Sequence, residues 1–187
     1  SGDRFGSVTD TGDFDGEGRM DLLVGAPEES VGSIADAGLV HVIYGSGGWS
    51  NNDGFYQNTS GWPDAAESGD RFGSALTTGD FNNDGNADIA IATVAANPVY
   101  LGDGSGGFNL HAELGNANSL AVAVGRFDNN TRDDLVFANV GSDSRVWTKK
   151  SGIGFASADL ISIGDAASVA VGEFGGNARQ DLVFGRT

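Results

Sequence analysis

Residues 13–21 read Asp-Phe-Asp-Gly-Glu-Gly-Arg-Met-Asp, and residues 80–88 read Asp-Phe-Asn-Asn-Asp-Gly-Asn-Ala-Asp. Both nonapeptides place oxygen-bearing side chains at positions one, three, five and nine, with Gly at position six. A loop built this way can wrap a hard cation such as calcium. Alternate side chains turn inward, the carbonyl at position seven adds a ligand, and Gly permits the sharp turn. Site one would draw on Asp13, Asp15, Glu17, the Arg19 carbonyl and Asp21. Site two would draw on Asp80, Asn82, Asp84, the Asn86 carbonyl and Asp88. Glu17 is one methylene longer than Asp and can meet an ion directly or through a water. An EF-hand would need a bidentate Glu at position twelve between two helices. Position twelve here is Val24 or Ile91, each inside a strand-like run. The remaining alternative for both loops is an Asx-rich turn without metal.

The chain also repeats itself. Ser1-Gly2-Asp3-Arg4-Phe5-Gly6-Ser7 returns unchanged as residues 68–74, and Thr11-Gly12-Asp13-Phe14 returns as residues 78–81, both at an offset of 67. Weaker copies are Val124-Gly125-Arg126-Phe127-Asp128, leading to Asp134-Leu135-Val136-Phe137, and Val171-Gly172-Glu173-Phe174, leading to Asp181-Leu182-Val183-Phe184. Short β-prone runs flank each loop. Further strands are expected at residues 40–44, 98–101 and 145–148, followed by Gly-rich turns at 45–48, 102–107 and 151–154. Outer strands are expected around 54–59, 109–114 and 158–163. No run has a helical period. A unit of about 40–60 residues with about four strands is a β-propeller blade. The units fall at 1–67, 68–117, 118–165 and 166–187, the last incomplete, giving about three and a half blades. Such an array leaves apolar faces and strand edges bare. The expectation is therefore a piece of a larger propeller, completed by the rest of the ring or by a second copy.

Phe5-Gly6, loop 13–21 and Gly25-Ala26-Pro27 together resemble the FG-GAP repeat of the integrin alpha-subunit propeller. Phe72-Gly73 and loop 80–88 resemble a second copy, with Ala92-Thr93 where Gly-Ala-Pro would stand. The third and fourth units are similar to shorter bacterial relatives of this repeat, described as VCBS-like. The resemblance implies an all-β propeller with structural calcium between first and second strands. It also implies an extracellular or cell-surface role in protein binding, adhesion or scaffolding. Loop 126–134 has Arg126 at position one and Thr131 at position six. Loop 173–181 has Gly175 at position three and Ala178 at position six. Both are expected to hold no calcium, leaving two sites.

Composition narrows the alternatives. The net charge of −16 disfavours nucleic acid and anionic membranes, which need a cationic face. The absence of Cys rules out disulfides, thiolate metal sites and a cysteine nucleophile. No apolar run reaches the ~20 residues of a membrane-spanning helix. The opening Ser-Gly-Asp-Arg has no signal-peptide pattern and no initiator Met, as expected of a mature product or a fragment. Gly102-Asp103-Gly104-Ser105-Gly106-Gly107 has the spacing of a dinucleotide fingerprint but joins two strands instead of opening a helix. His41 and His111, the only histidines, lack a nucleophile motif, and no enzymatic activity is expected. Trp49, Tyr56, Trp62, Tyr100 and Trp147 could form a glycan-binding face. Tyr100 and Trp147, 47 apart in successive units, fit packing between blades better. Asn58-Thr59-Ser60 and Asn129-Asn130-Thr131 match the glycosylation sequon. A lectin-like propeller and an accessory propeller of a polysaccharide-active enzyme remain the alternatives to a protein-binding module.

Overall fold

The computed structural model describes residues 2–46, 50–59, 65–94, 96–115, 118–128, 130–150, 154–176 and 180–186, with the side chains of 157–160 set aside. Expectations resting on Ser1, Trp49, Ser60, Trp62, Asn129, Ala178, Thr187 and turn residues 47–48 and 151–153 lie outside these residues.

The described chain is all strand and turn, arranged as successive antiparallel meanders. The first sheet has the order β1 (Val8–Gly12), β2 (Asp21–Ala26), β3 (Leu39–Ile43), β4 (Asn52–Phe55). The second has β5 (Ala75–Gly79), β6 (Asp88–Ala92), β7 (Asn97–Gly102), β8 (Phe108–Leu114). The third has β9 (Asn118–Gly125), β10 (Asp134–Val140), β11 (Ser144–Lys150), β12 (Gly154–Ile161). The fourth pairs β13 (Ala166–Gly172) with β14 (Asp181–Arg186). The first strands lie side by side, β5 between β1 and β9, and β13 against β9. These are blades fanned about a common axis with the first strand innermost, and the sheets do not close a ring. Phe5 and Met20 on the first blade, and Phe174 and Val183 on the fourth, are exposed.

The side-chain alternation of the strands builds the core between blades. Ile89 and Ile91 of β6 join Phe14, Leu23, Val40, Val42, Phe72 and Tyr100 between the first and second blades. Ala90 and Ala92, on the other face of the same strand, join Phe81, Val99, Leu135 and Phe137 between the second and third. β6 is therefore buried along its whole length. Each fully buried Phe or Ile contributes about 2 kcal/mol. Tyr100 is 1% exposed and Trp147 packs against the second cluster, so the paired aromatics are packing groups.

Some boundaries differ from the sequence expectation. The outer strand of the first blade is Asn52–Phe55, and Tyr56–Thr59 form a turn. There Thr59 N donates to the Tyr56 carbonyl at 2.8 Å and Tyr56 N to Thr59 Oγ1 at 3.0 Å. The hydroxyl of Thr59 thus competes with strand pairing. Tyr44 lies just beyond β3, and its hydroxyl donates to Asp53 Oδ2 at 2.9 Å. β12 begins at Gly154, four residues earlier than expected.

The Phe-Gly of one blade packs on the Gly-Ala of the blade before it. Phe72 is 2% exposed, and its N–H donates to the Ala37 carbonyl at 2.9 Å. A Cβ on Gly25 would lie 2.1 Å from the Gly73 carbonyl oxygen and 2.6 Å from Val8 Cγ1. Gly25 is thus required by the approach of the next blade. Its counterpart, Ala92, does have a Cβ, and the third unit has no Phe-Gly ahead of β9. The two halves of the motif disappear together because each exists to meet the other.

Between the second and third blades, Lys149 is 1% exposed. Its Nζ lies 2.8 Å from His111 Nε2 and 4.8 Å from the centre of the Phe155 ring. With Lys149 as the donor, His111 accepts as a neutral ring. Asp88 and Arg132 also act on Lys149, the first favouring its charge and the second opposing it. Burial, then the Lys149 charge, hold the His111 pKa below its ordinary 6.5. The folded chain therefore binds fewer protons than the unfolded one. Stability from this pair is complete above pH 6.5 and is lost as pH falls below it.

Two measurements follow from these contacts. Gly25→Ala is expected to cost about 3 kcal/mol in urea unfolding, against about 1 kcal/mol for Ala92→Gly. His111→Gln, whose amide oxygen accepts the Lys149 bond without titrating, should flatten the fall in melting temperature between about pH 7 and 5 relative to the parent chain.

Candidate metal centre

The four blades share one corner. The pairing register places Gly12, Gly79, Gly125 and Gly172, just before each loop, opposite Asp21, Asp88, Asp134 and Asp181 at position nine. Each of these carboxylates accepts the position-two N–H across the loop: Phe14 to Asp21 at 2.8 Å, Phe81 to Asp88 at 2.6 Å, Phe127 to Asp134 at 2.8 Å and Phe174 to Asp181 at 2.8 Å. In the three four-stranded blades the other oxygen accepts an N–H from the end of the third strand. These donors are Gly45 to Asp21 at 2.8 Å, Gly102 to Asp88 at 2.9 Å and Lys149 to Asp134 at 2.8 Å. Asp21, Asp88 and Asp134 are almost fully buried. Position nine is thus a staple across three strands, in loops with and without the cation pattern. The composition of the fully patterned loops hid this, since the same Asp reads there as a ligand alone. Its persistence in loops three and four was the available signal.

In loop one, oxygens of Asp13, Asp15 and Asp21 all lie within 4.8 Å of one another. Gly18 N donates to Asp13 Oδ2 at 2.8 Å, while Asp13 Oδ1 is buried without a hydrogen-bond partner. A buried, unpartnered carboxylate oxygen among converging carboxylates fits a hard cation. Ser46 Oγ donates to Asp15 Oδ2 at 3.2 Å. Glu17 turns outward, 3.9 Å from Arg19 Nε. The residues that converge are therefore positions one, three and nine.

Loop two follows the sequence pattern more closely, yet its oxygens are held by its own backbone. Asp80 accepts Asp84 N at 3.1 Å and Gly85 N at 3.0 Å, Asn82 Oδ1 accepts Asp84 N at 2.8 Å, and Asp84 Oδ1 accepts Asn86 N at 2.8 Å. Asn82 Nδ2 also donates to Asp84 Oδ2 at 2.7 Å. Burial pushes the Asp88 pKa up to about 7, opposed by the Gly102 and Phe81 N–H groups and reinforced by Asp84 and Asp80. A group of carboxylates under this strain gains from a cation.

Loop three carries its own positive charges. Arg126 Nε lies 3.2 Å from Asp133 Oδ1, and Lys150 Nζ 3.5 Å from Asp128 Oδ2. In loop four, Asp181 Oδ2 also accepts Gly175 N at 2.8 Å. The Gly-rich segment after β7 is a hairpin turn in which Asp103 Oδ1 accepts Ser105 N at 2.8 Å and Gly107 N at 3.0 Å.

Position eight links neighbouring loops. Asp133 Oδ2 accepts Asp80 N at 3.3 Å, and Gln180 Oε1 accepts Arg126 N. Ala87 sits against Gly12, where a Cβ would lie 2.7 Å away. Nearer the axis, Asp10 Oδ2 accepts Thr78 N at 2.8 Å, and Thr78 Oγ1 donates to the Thr11 carbonyl at 2.9 Å.

Asp134→Ala strands three N–H groups in a loop with no cation pattern. It is expected to cost about 3 kcal/mol in urea unfolding, equally with calcium and with chelator.

Comparison with known proteins agrees with this architecture. The FG-GAP repeat profile matches residues 5–43 and 72–107. Integrin alpha-PS2 of Drosophila melanogaster is 37% identical over 114 residues, covering 56% of this chain and 8% of the integrin. Integrin alpha-PS5 of the same organism is 34% identical over 110 residues, covering 56% of this chain and 10% of the integrin. Phosphatidylinositol-glycan-specific phospholipase D of Mus musculus is 36% identical over 88 residues, covering 47% of this chain and 10% of the enzyme. The chain spans a tenth or less of the length of these relatives. Residues 5–43 and 72–107 are FG-GAP repeats, and across the matched stretch the chain is a homologue of integrin alpha chains.

Proposed function

We propose that this chain is a calcium-stabilised, non-enzymatic propeller segment that binds protein at an extracellular surface or in a matrix. The observation that carries the reading is the convergence of Asp13, Asp15 and Asp21 on a buried, unpartnered Asp13 oxygen within an FG-GAP repeat. Asp13, Asp15, Asp21 and the Arg19 carbonyl would hold calcium in loop one, with Glu17 reaching it through water. Asp80, Asn82, Asp84, Asp88 and the Asn86 carbonyl would hold it in loop two once the loop's internal hydrogen bonds are exchanged for metal contacts. Calcium is structural here: it neutralises clustered carboxylates and fixes the crossing from first to second strand. The net charge of −16 suits an ion-loaded surface and disfavours nucleic acid as a partner. No helix among the described residues is long and apolar enough to cross a membrane.

Phe5 and Met20 on the first blade and Phe174 and Val183 on the fourth are exposed. Further blades, from the same polypeptide or a second copy, would cover them. The burial of Tyr100 and the packing of the partly buried Trp147 against the second cluster weigh against a lectin face built on that pair. The phospholipase relative is a reason to test the non-enzymatic reading directly. A chain that cleaves no glycan or phospholipid substrate, yet binds a matrix protein in a calcium-dependent way, supports the proposal.

Calcium is expected to raise the melting temperature and EDTA to lower it, by about 5 °C or more for ligand well above its dissociation constant. Asp13→Ala and Asp80→Ala should each remove part of the calcium response, and Arg126→Ala should leave it intact. A melting temperature indifferent to EDTA overturns structural calcium. Light scattering with calcium and with EDTA reads whether a second copy covers these exposed residues.

A further inference from the structure

At the end of the sheets opposite the loop corner, the first and second blades enclose a pocket of about 160 Å³. It lies between the segment entering β5 and the turn from β6 to β7. Its walls include Phe72 and Tyr100, and its polar groups are Gln57, Glu67, Asp70 and Glu113. No Lys, Arg or His is among the described residues that line it. Gln57 is 8% exposed, and its Oε1 is buried with no donor facing it. Such an oxygen is costly to leave unpaired and marks a place where a donor belongs. Asp70 Oδ2 accepts Glu67 N at 2.6 Å, which leaves its second oxygen available. None of the three carboxylates takes part in the ion pairs found among the described residues.

The pocket therefore offers acceptors and negative charge beside an apolar lining that includes the exposed Val94. Among the described residues, the grouping of carboxylates tight enough for one metal ion is Asp13, Asp15 and Asp21, not this set. A ligand for Gln57, Asp70 and Glu113 together must be larger than a bare ion and must carry several N–H donors. An alkylguanidinium or alkylammonium meets both needs. Its N–H groups reach separate acceptors, its charge faces carboxylates, and its methylene stem lies along the exposed side chain of Val94. We propose that this pocket binds an organic cation of this class, from a protein side chain or a free polyamine. The site stands apart from the calcium loops and does not depend on them.

The test is a titration of the calcium-loaded chain with agmatine, which has a guanidinium at one end and an amine at the other. The readout is the Gln57 side-chain amide in nitrogen–proton correlation spectra. Agmatine is expected to shift that amide saturably, and Asp70→Asn and Glu113→Gln should each weaken binding roughly tenfold. Gln57→Met removes the unpaired oxygen at similar volume, so it should keep the fold and lose affinity, read for this variant from the backbone amides of Asp70 and Glu113. Tetramethylammonium, a cation without N–H donors, should leave the amide unmoved. Putrescine and N-acetyl-arginine amide then separate the two sources. Tighter binding of putrescine indicates a free polyamine, and tighter binding of the arginine derivative indicates a protein side chain. No shift at about 50 mM agmatine, an equal response to tetramethylammonium, or shifts confined to residues 13–21 and 80–88 would each overturn the proposal. A preserved calcium effect on melting in that case leaves the calcium reading standing.

Discussion

The fold turns on a buried aspartate that bridges three strands. At position nine of each loop, one oxygen takes the N–H of the residue that starts the crossing. In the four-stranded blades, the other takes an N–H from the end of the third strand. A buried carboxylate with both oxygens bonded is held firmly, and it satisfies backbone donors that the turn would otherwise leave unpaired. Because Asp134 acts this way in a loop without the cation pattern, and Asp181 keeps the first of the two bonds, the corner is a property of the sheet. Calcium, where it binds, is added to a corner already braced.

Blades then register on one another through small contacts near the axis. The glycine before each loop leaves room for the position-eight side chain of the next blade, whether it packs, as Ala87 does, or accepts an N–H, as Asp133 and Gln180 do. At the far end, Phe72-Gly73 seats on Gly25 and Gly38. The apolar layers between lock because β6 presents isoleucines to one neighbour and alanines to the other. The two sides differ in side-chain size, with Phe81 and Phe137 filling the alanine side.

The electrostatics divide along the same lines. Acidic side chains gather at the loop corner: in loop one three carboxylates converge, in loop two the loop's own N–H groups hold them, and in loop three Arg126 and Lys150 answer them. One cation, Lys149, is drawn inside between the second and third blades and is partnered by a neutral histidine and an aromatic face. A chain with so few positive charges uses this one to tie two sheets.

The sequence by itself determined the repeat, the strand content and the oxygen-rich nonapeptide pattern, and it favoured packing for Tyr100 and Trp147. These are local: a nine-residue pattern, a period-two alternation and a recurring turn state their geometry without reference to distant residues. Tertiary structure decided everything that needed two blades at once. It showed that Phe-Gly meets the preceding Gly-Ala, that His111 faces Lys149 across 38 positions, and that Gln57 is left without a donor. It also separated the roles within a loop: Glu17 turned to Arg19, and the position-nine Asp turned to backbone. Which oxygens face inward depends on the N–H groups that neighbouring strands bring to the corner, and those strands come from parts of the chain the nonapeptide does not contain.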